Sequence, residues 1–258
     1  MSKIIVISSG KGGVGKTTTA VNLAAGLNYH GKSALVIDGN LTTPNVGIHF
    51  GSPEVPVTLN HLISGKADLG EVIYEHESGV KVIPASLSVK ELKNIDYKKV
   101  KNLKKGLKGS ADYIIIDSAA GLGEEATSII DLADELIIVT NPEMAAITDA
   151  LKAIRLTSDS KKTIRGIIVT RVRKDKIELQ PDVVKGMLEA PILGMVPEHL
   201  TIKESWNLRD AVVHTHPKSP TARAYKEIAA ELAGVEYDSE SEREKLLERF
   251  LKKIKLKK

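Results

Sequence analysis

The chain has 258 residues, 42% of them apolar and 27% charged, which suits a substantial core and excludes a compositionally disordered chain. It contains no cysteine, so disulfide frameworks, thiolate metal sites, iron–sulfur clusters and cysteine nucleophiles are excluded. The formal charge of +4 comes wholly from residues 239–258, which hold eight basic and four acidic groups; residues 1–238 balance. A balanced body with only 3% aromatics argues against a broad nucleic-acid surface.

In chain order, residues 3–8 form a short apolar run and predict a buried strand. Residues 17–28 show helical apolar spacing through Ala20, Leu23, Ala24 and Leu27, stopped by Gly31. Residues 33–38 predict a second strand, and 40–56, rich in Thr, Asn, Gly and Pro, a loop. A short helix is expected over 58–64, from Thr58 to Gly65. A strand follows at 80–84, then a lysine-rich surface helix at 96–107. Further strands are expected at 113–117, 135–140, 165–170 and 191–196, and helices at 144–157 and 217–232. β-Branched runs alternating with amphipathic helices predict an α/β fold, a mostly parallel twisted sheet with helices on both faces. No window approaches 18 uncharged apolar residues and no signal peptide is evident, so the expected location is cytoplasmic.

Residues Gly10-Lys11-Gly12-Gly13-Val14-Gly15-Lys16-Thr17 match G-x-x-x-x-G-K-[ST] in full, after a strand and before a helix. Glycines let successive backbone N–H groups converge on phosphate oxygens, and the helix N-terminus favours negative charge. Lys16 is expected to reach the β- and γ-phosphates and the Thr17 hydroxyl to ligate Mg2+, with Thr18 beside the nucleotide. The motif implies a P-loop NTPase without naming the base.

Lys11, a second lysine inside the loop, carries a resemblance to the deviant Walker A family of MinD and ParA ATPases, with its K-G-G-V-G-K-T pattern. The resemblance implies ATP as nucleotide, an ATP-dependent homodimer, and Lys11 reaching across it to the partner's phosphates, like an arginine finger in trans. Asp117 resembles a Walker B carboxylate that holds Mg2+ directly or through water. The segment 118–123 after it resembles switch II, with Ala119 where the family has proline. Asp38-Gly39-Asn40 departs from the family's D-x-D at the mouth of switch I. Asp38 is expected among the metal-holding residues, with Thr17 and Asp117. Asn40 keeps the size of the second aspartate and one acceptor but cannot take a proton, so ATP should bind while hydrolysis is slow. Asn40 is either a natural divergence or a replacement that traps the ATP state. Asn45 is expected near the nucleotide within switch I. Thr170-Arg171, where the family has Asn-Arg, and Pro197-Glu198 are read either as base contacts or as ordinary loop pairs. His214 and His216 are a tempting pair, but without carboxylates expected nearby they read as loop residues rather than metal ligands.

Residues 242–256 read as a helix with Leu246, Leu247, Phe250, Leu251 and Ile254 on one face and lysines crowding elsewhere, and the stretch 242–258 is the expected membrane contact. A basic amphipathic helix suits an anionic membrane surface, each cation there contributing on the order of 1 kcal/mol. Two such helices joined by dimerisation bind more tightly than one. The expected domains are therefore a P-loop ATPase body over 1–237 and a membrane-targeting tail over 238–258. The expected protein is a MinD-like ATPase, peripheral on the cytoplasmic face of the cell membrane, serving an unidentified protein regulator or cargo. The alternatives are a ParA-like DNA-partitioning ATPase and a nucleotide-gated scaffold with little hydrolysis.

Overall fold

The structure, a computed structural model, describes residues 2–52, 54–93, 95–159, 162–173 and 178–237. The predicted helix over 242–256 lies outside them. Its first strand, β1 (Lys3–Ser8), occupies the interior of an eight-stranded sheet with β2 (Ala34–Gly39), β3 (Tyr74–Glu75), β4 (Lys81–Ile83), β5 (Tyr113–Ser118), β6 (Glu135–Thr140), β7 (Thr163–Val172) and β8 (Ile192–Pro197). The order is β3-β4-β2-β5-β1-β6-β7-β8, and every pairing is parallel except β3 with β4. Strands buried on both faces need no polar alternation, which explains the unbroken runs IIVI, YIII and LIIV.

Neighbouring residues of each strand feed opposite layers. Ile5, Ile7, Val36 and Ile115 face a core completed by α1 (Lys16–Tyr29) and α12 (Pro220–Ala233). Ile4, Val6, Leu35 and Ile116 face the other, beneath α3 (Leu59–Ser64), a 3-10 turn (Tyr97–Asn102), α6 (Leu103–Leu107) and α7 (Glu124–Ile130). Farther along, α8 (Met144–Asp159) and α9 (Pro181–Leu188) cover β6 and β7 with Ile138, Ile147, Ile167 and Val184.

The predicted loop over 40–56 contains one helical turn, α2 (Val46–His49), whose first N–H groups are held by the Asp38 carboxylate. The lysine-rich helix divides into the 3-10 turn and α6; Asp96 caps the turn by accepting from the Lys98 N–H at 3.0 Å. The helix expected from residue 217 starts at Pro220, because the Ser219 hydroxyl takes the Ala222 N–H and proline is tolerated at the first helical position. Short helices were not anticipated at α4 (Leu69–Val72), α5 (Val89–Leu92), α10 (Thr201–Asn207) and α11 (Val212–Thr215), nor were α7 and α9. Each has one to two turns, too short to display an apolar period.

Candidate active site

The loop between β1 and α1 is shaped by two glycines with positive φ, Gly13 at 76° and Gly15 at 97°. An L side chain is strained at either. Gly10 is required for a different reason: a Cβ there would lie 2.1 Å from the backbone oxygen of Asp149 on α8. The loop is thus pressed against that helix at Gly10.

Beneath it, Lys16 is buried and donates to the Ser9 hydroxyl at 3.0 Å, which in turn donates to the Lys11 carbonyl at 2.7 Å. Burial pulls the Lys16 ammonium below the usual lysine range, partly offset by Asp117. The Thr17 hydroxyl donates to Asp117 Oδ2 at 2.5 Å. The register of β2 against β5 sets Asp38 directly opposite Asp117. Asp117 is fully buried, its carboxyl pushed up to about 6 by desolvation, against the pull of Thr17 and Lys16. Desolvation and the neighbouring Asp117 raise Asp38 well above the carboxylate range, although N–H groups of Val46, Asn45 and Asn40 oppose this. Asp117 Oδ1 has no partner among the described residues. A buried carboxylate oxygen left idle beside a hydroxyl is an all-oxygen donor set, the chemistry that magnesium takes.

The other sequence candidates divide. Lys11 stands exposed at the rim, its ammonium without an ion pair among the described residues. Asn40 lies at the site's edge with its carboxamide turned on Thr43: Nδ2 donates to the Thr43 carbonyl at 2.7 Å, and Oδ1 accepts from the Thr43 hydroxyl at 3.1 Å. Asn45 gives its backbone N–H to Asp38 at 2.9 Å and its side-chain amide to Thr43. Thr42 is tied through its N–H and hydroxyl to Glu125 on α7, and the Gly121 N–H of the following segment reaches the Ser9 carbonyl at 3.0 Å.

Gly15, Thr18, Thr170, Arg171, Pro197 and Glu198 line one cleft of about 400 Å³ beside the loop. Within it Thr170 is drawn inward, its hydroxyl 2.5 Å from the Val14 carbonyl and 2.9 Å from Asn141 Oδ1. Glu198 is held by Arg173, which keeps its carboxyl below the usual range. Sequence reasoning missed Ser9, Asn141 and Trp206, the last lining the cleft from α10. Trp206 is the chain's single tryptophan, and that rarity was its one visible signal. The two histidines do have carboxylates near: His214 meets Asp210 at 3.1 Å and His216 meets Glu204 at 3.2 Å. Asp210 reaches His214 from one turn earlier and Glu204 reaches His216 from α10, and no group of three metal ligands exists among the described residues.

A family model described as ParA, NUBPL iron-transfer P-loop NTPase, matches residues 1–233. The chain belongs to the ParA/MinD family of P-loop NTPases. An uncharacterised ATP-binding protein of Methanocaldococcus jannaschii is 38% identical, covering 98% of this chain and 96% of its own. The septum site-determining protein MinD of Neisseria meningitidis is 32% identical, over 91% and 92% respectively. Among solved structures, MinD of Pyrococcus horikoshii in complex with Mg-ADP superposes with a TM-score of 0.86 at 33% identity, covering 90% of this chain and 96% of that one. The fold is therefore the MinD-like P-loop fold, and the ParA/MinD family is one of ATPases. No helix among the described residues is long and apolar enough to cross a membrane.

Proposed function

We propose that the chain is a MinD-like ATPase whose ATP-bound form is a sandwich dimer, held reversibly on a membrane to position cell-division or other cellular machinery. The observation that carries this reading is the constellation of buried Lys16, Asp38 and Asp117 with the half-buried Thr17 under the phosphate loop, one carboxylate oxygen still unpartnered. In this reading N–H groups of residues 10–17 hold the triphosphate, and Lys16 trades Ser9 for the β- and γ-phosphates. Thr17 and Asp117 would hold Mg2+, which neutralises charge building on the phosphates. Asp38, its oxygens occupied by three N–H groups, would steady switch I from the metal's outer shell. The cleft of Thr170, Arg171, Pro197 and Glu198 takes the base. The free Lys11 ammonium crosses to the partner copy.

Asn40 weakens hydrolysis, because no carboxylate stands at its position to orient water and draw its proton. Its locked contact with Thr43 equally favours the second reading, a nucleotide-gated scaffold with little turnover. A ParA-like DNA-partitioning role shares the core site, but the charge balance of residues 1–238 does not favour it. Residues 1–237 would be the ATPase body and 238–258 the tail that seats it, peripherally, on the cytoplasmic face of the membrane.

Oligomeric state tests the proposal. The parent chain should pass from single subunit to dimer when ATP and magnesium are both added. Lys11→Ala should bind ATP yet stay single. A parent chain that remains single with saturating ATP and magnesium defeats the reading.

A further inference from the structure

Between residues 90 and 108 the chain carries eight lysines, two carboxylates and no arginine, while residues 1–238 as a whole carry no net charge. Lys93, Lys98, Lys99, Lys101, Lys105 and Lys108 are exposed and make no ion pair among the described residues. Lys104 reaches Asp134 at 2.8 Å. Stable surfaces ordinarily mix the two signs, because like charges one turn apart repel. A strip this one-sided is costly unless an anion meets it.

The strip has a direction. At its upper end Tyr97 lies near Glu125 and Thr42, by the loop that follows β2. Past its lower end the Gly109 N–H donates to the Ser2 hydroxyl at 2.7 Å, at the foot of β1. The helical rise between them spans roughly 20 Å. The described chain stops at the same end of the sheet, on the layer of α1 and α12: the Tyr113 hydroxyl donates to the Leu232 carbonyl at 2.8 Å, and the Tyr237 ring meets Tyr29 and His30 edge-on. Beside the lysines, Leu62, Ile63, Leu69, Leu103 and Leu107 line an apolar cleft of about 310 Å³, with Lys99 at its lip.

We propose that this lysine strip is a second contact with an anionic phospholipid surface, engaged together with the tail. The inference rests on the membrane reading above. Three features favour lipid headgroups over nucleic acid. The cations are all lysine, compact point charges without the forked guanidinium that grips phosphate bidentately. The cleft beside them is apolar, which suits an interface with acyl chains below it rather than a sugar–phosphate backbone. The strip runs to the same end of the sheet as the last described residues, on the opposite layer.

The full-length protein with ATP and magnesium is sedimented with vesicles of phosphatidylglycerol and phosphatidylcholine. Lys98→Gln, Lys101→Gln and Lys105→Gln combined should weaken binding roughly tenfold or more, with ATP affinity unchanged. The loss should shrink as phosphatidylglycerol is diluted out, or in about 0.5 M salt. Arginine at the same three positions should bind as the parent does. A tail variant, Phe250→Glu with Ile254→Glu, should lose binding altogether. If the tail variant fails while the glutamine variant equals the parent, the strip is no lipid contact and only this inference falls. A parent chain that ignores the vesicles overturns both readings. A glutamine variant that loses duplex DNA retention but keeps vesicle binding assigns the strip to nucleic acid and overturns the inference.

Discussion

Replacing Asp117 by asparagine should stabilise the metal-free, nucleotide-free protein while abolishing its response to magnesium. Asp117 is fully buried opposite Asp38, and its carboxyl is raised from 3.8 to about 6. The folded state therefore binds the proton more tightly than the unfolded state does. Stability falls as pH rises from about 4 to about 6 and is flat above, because in that window folding takes up a proton. A raise of about two units amounts to roughly 3 kcal/mol of penalty at neutral pH. Asparagine has the shape of the neutral acid and still accepts from Thr17, so it should recover roughly that amount, about 6–12 °C in Tm for a chain of this size. The gain should vanish near pH 4, where Asp117 is neutral in the parent as well. It should be reversed by ADP with magnesium, which stabilises the parent alone. Urea unfolding followed by circular dichroism in EDTA, from pH 4 to 8, measures all of this. An asparagine variant less stable than the parent at pH 7.5, or equally displaced at every pH, would refute the reasoning.

Two further outcomes are expected. Asn40→Asp removes the amide that donates to the Thr43 carbonyl and places a proton acceptor at the mouth of switch I; phosphate release should rise roughly tenfold or more, and an unchanged rate defeats the water-activating role assigned there. Trp206 lines the cleft assigned to the base and is 42% exposed, so its fluorescence should shift when ADP with magnesium is added; a silent tryptophan under saturating nucleotide would place the base elsewhere.

What the sequence determined by itself was local and repetitive. Gly10 to Thr17 declared the phosphate loop, since a strand, a glycine-rich turn and a helix start are consecutive in the chain. The strand runs declared a parallel sheet, since burial on both faces leaves unbroken apolar stretches. Asp38 and Asp117 were nameable as strand-end carboxylates from their motif. Only the fold put them side by side: residues 79 apart become register partners across β2 and β5, and the shared burial that shifts their protons comes from that pairing. Asn40 was visible as a departure, but its closure onto Thr43 depends on how the loop turns around the Asp38 carboxylate. Trp206, Asn141 and the apolar cleft beside the lysine strip belong to tertiary structure alone. Charge and burial act through space, and spacing along the chain fixes that space only within a single turn or strand.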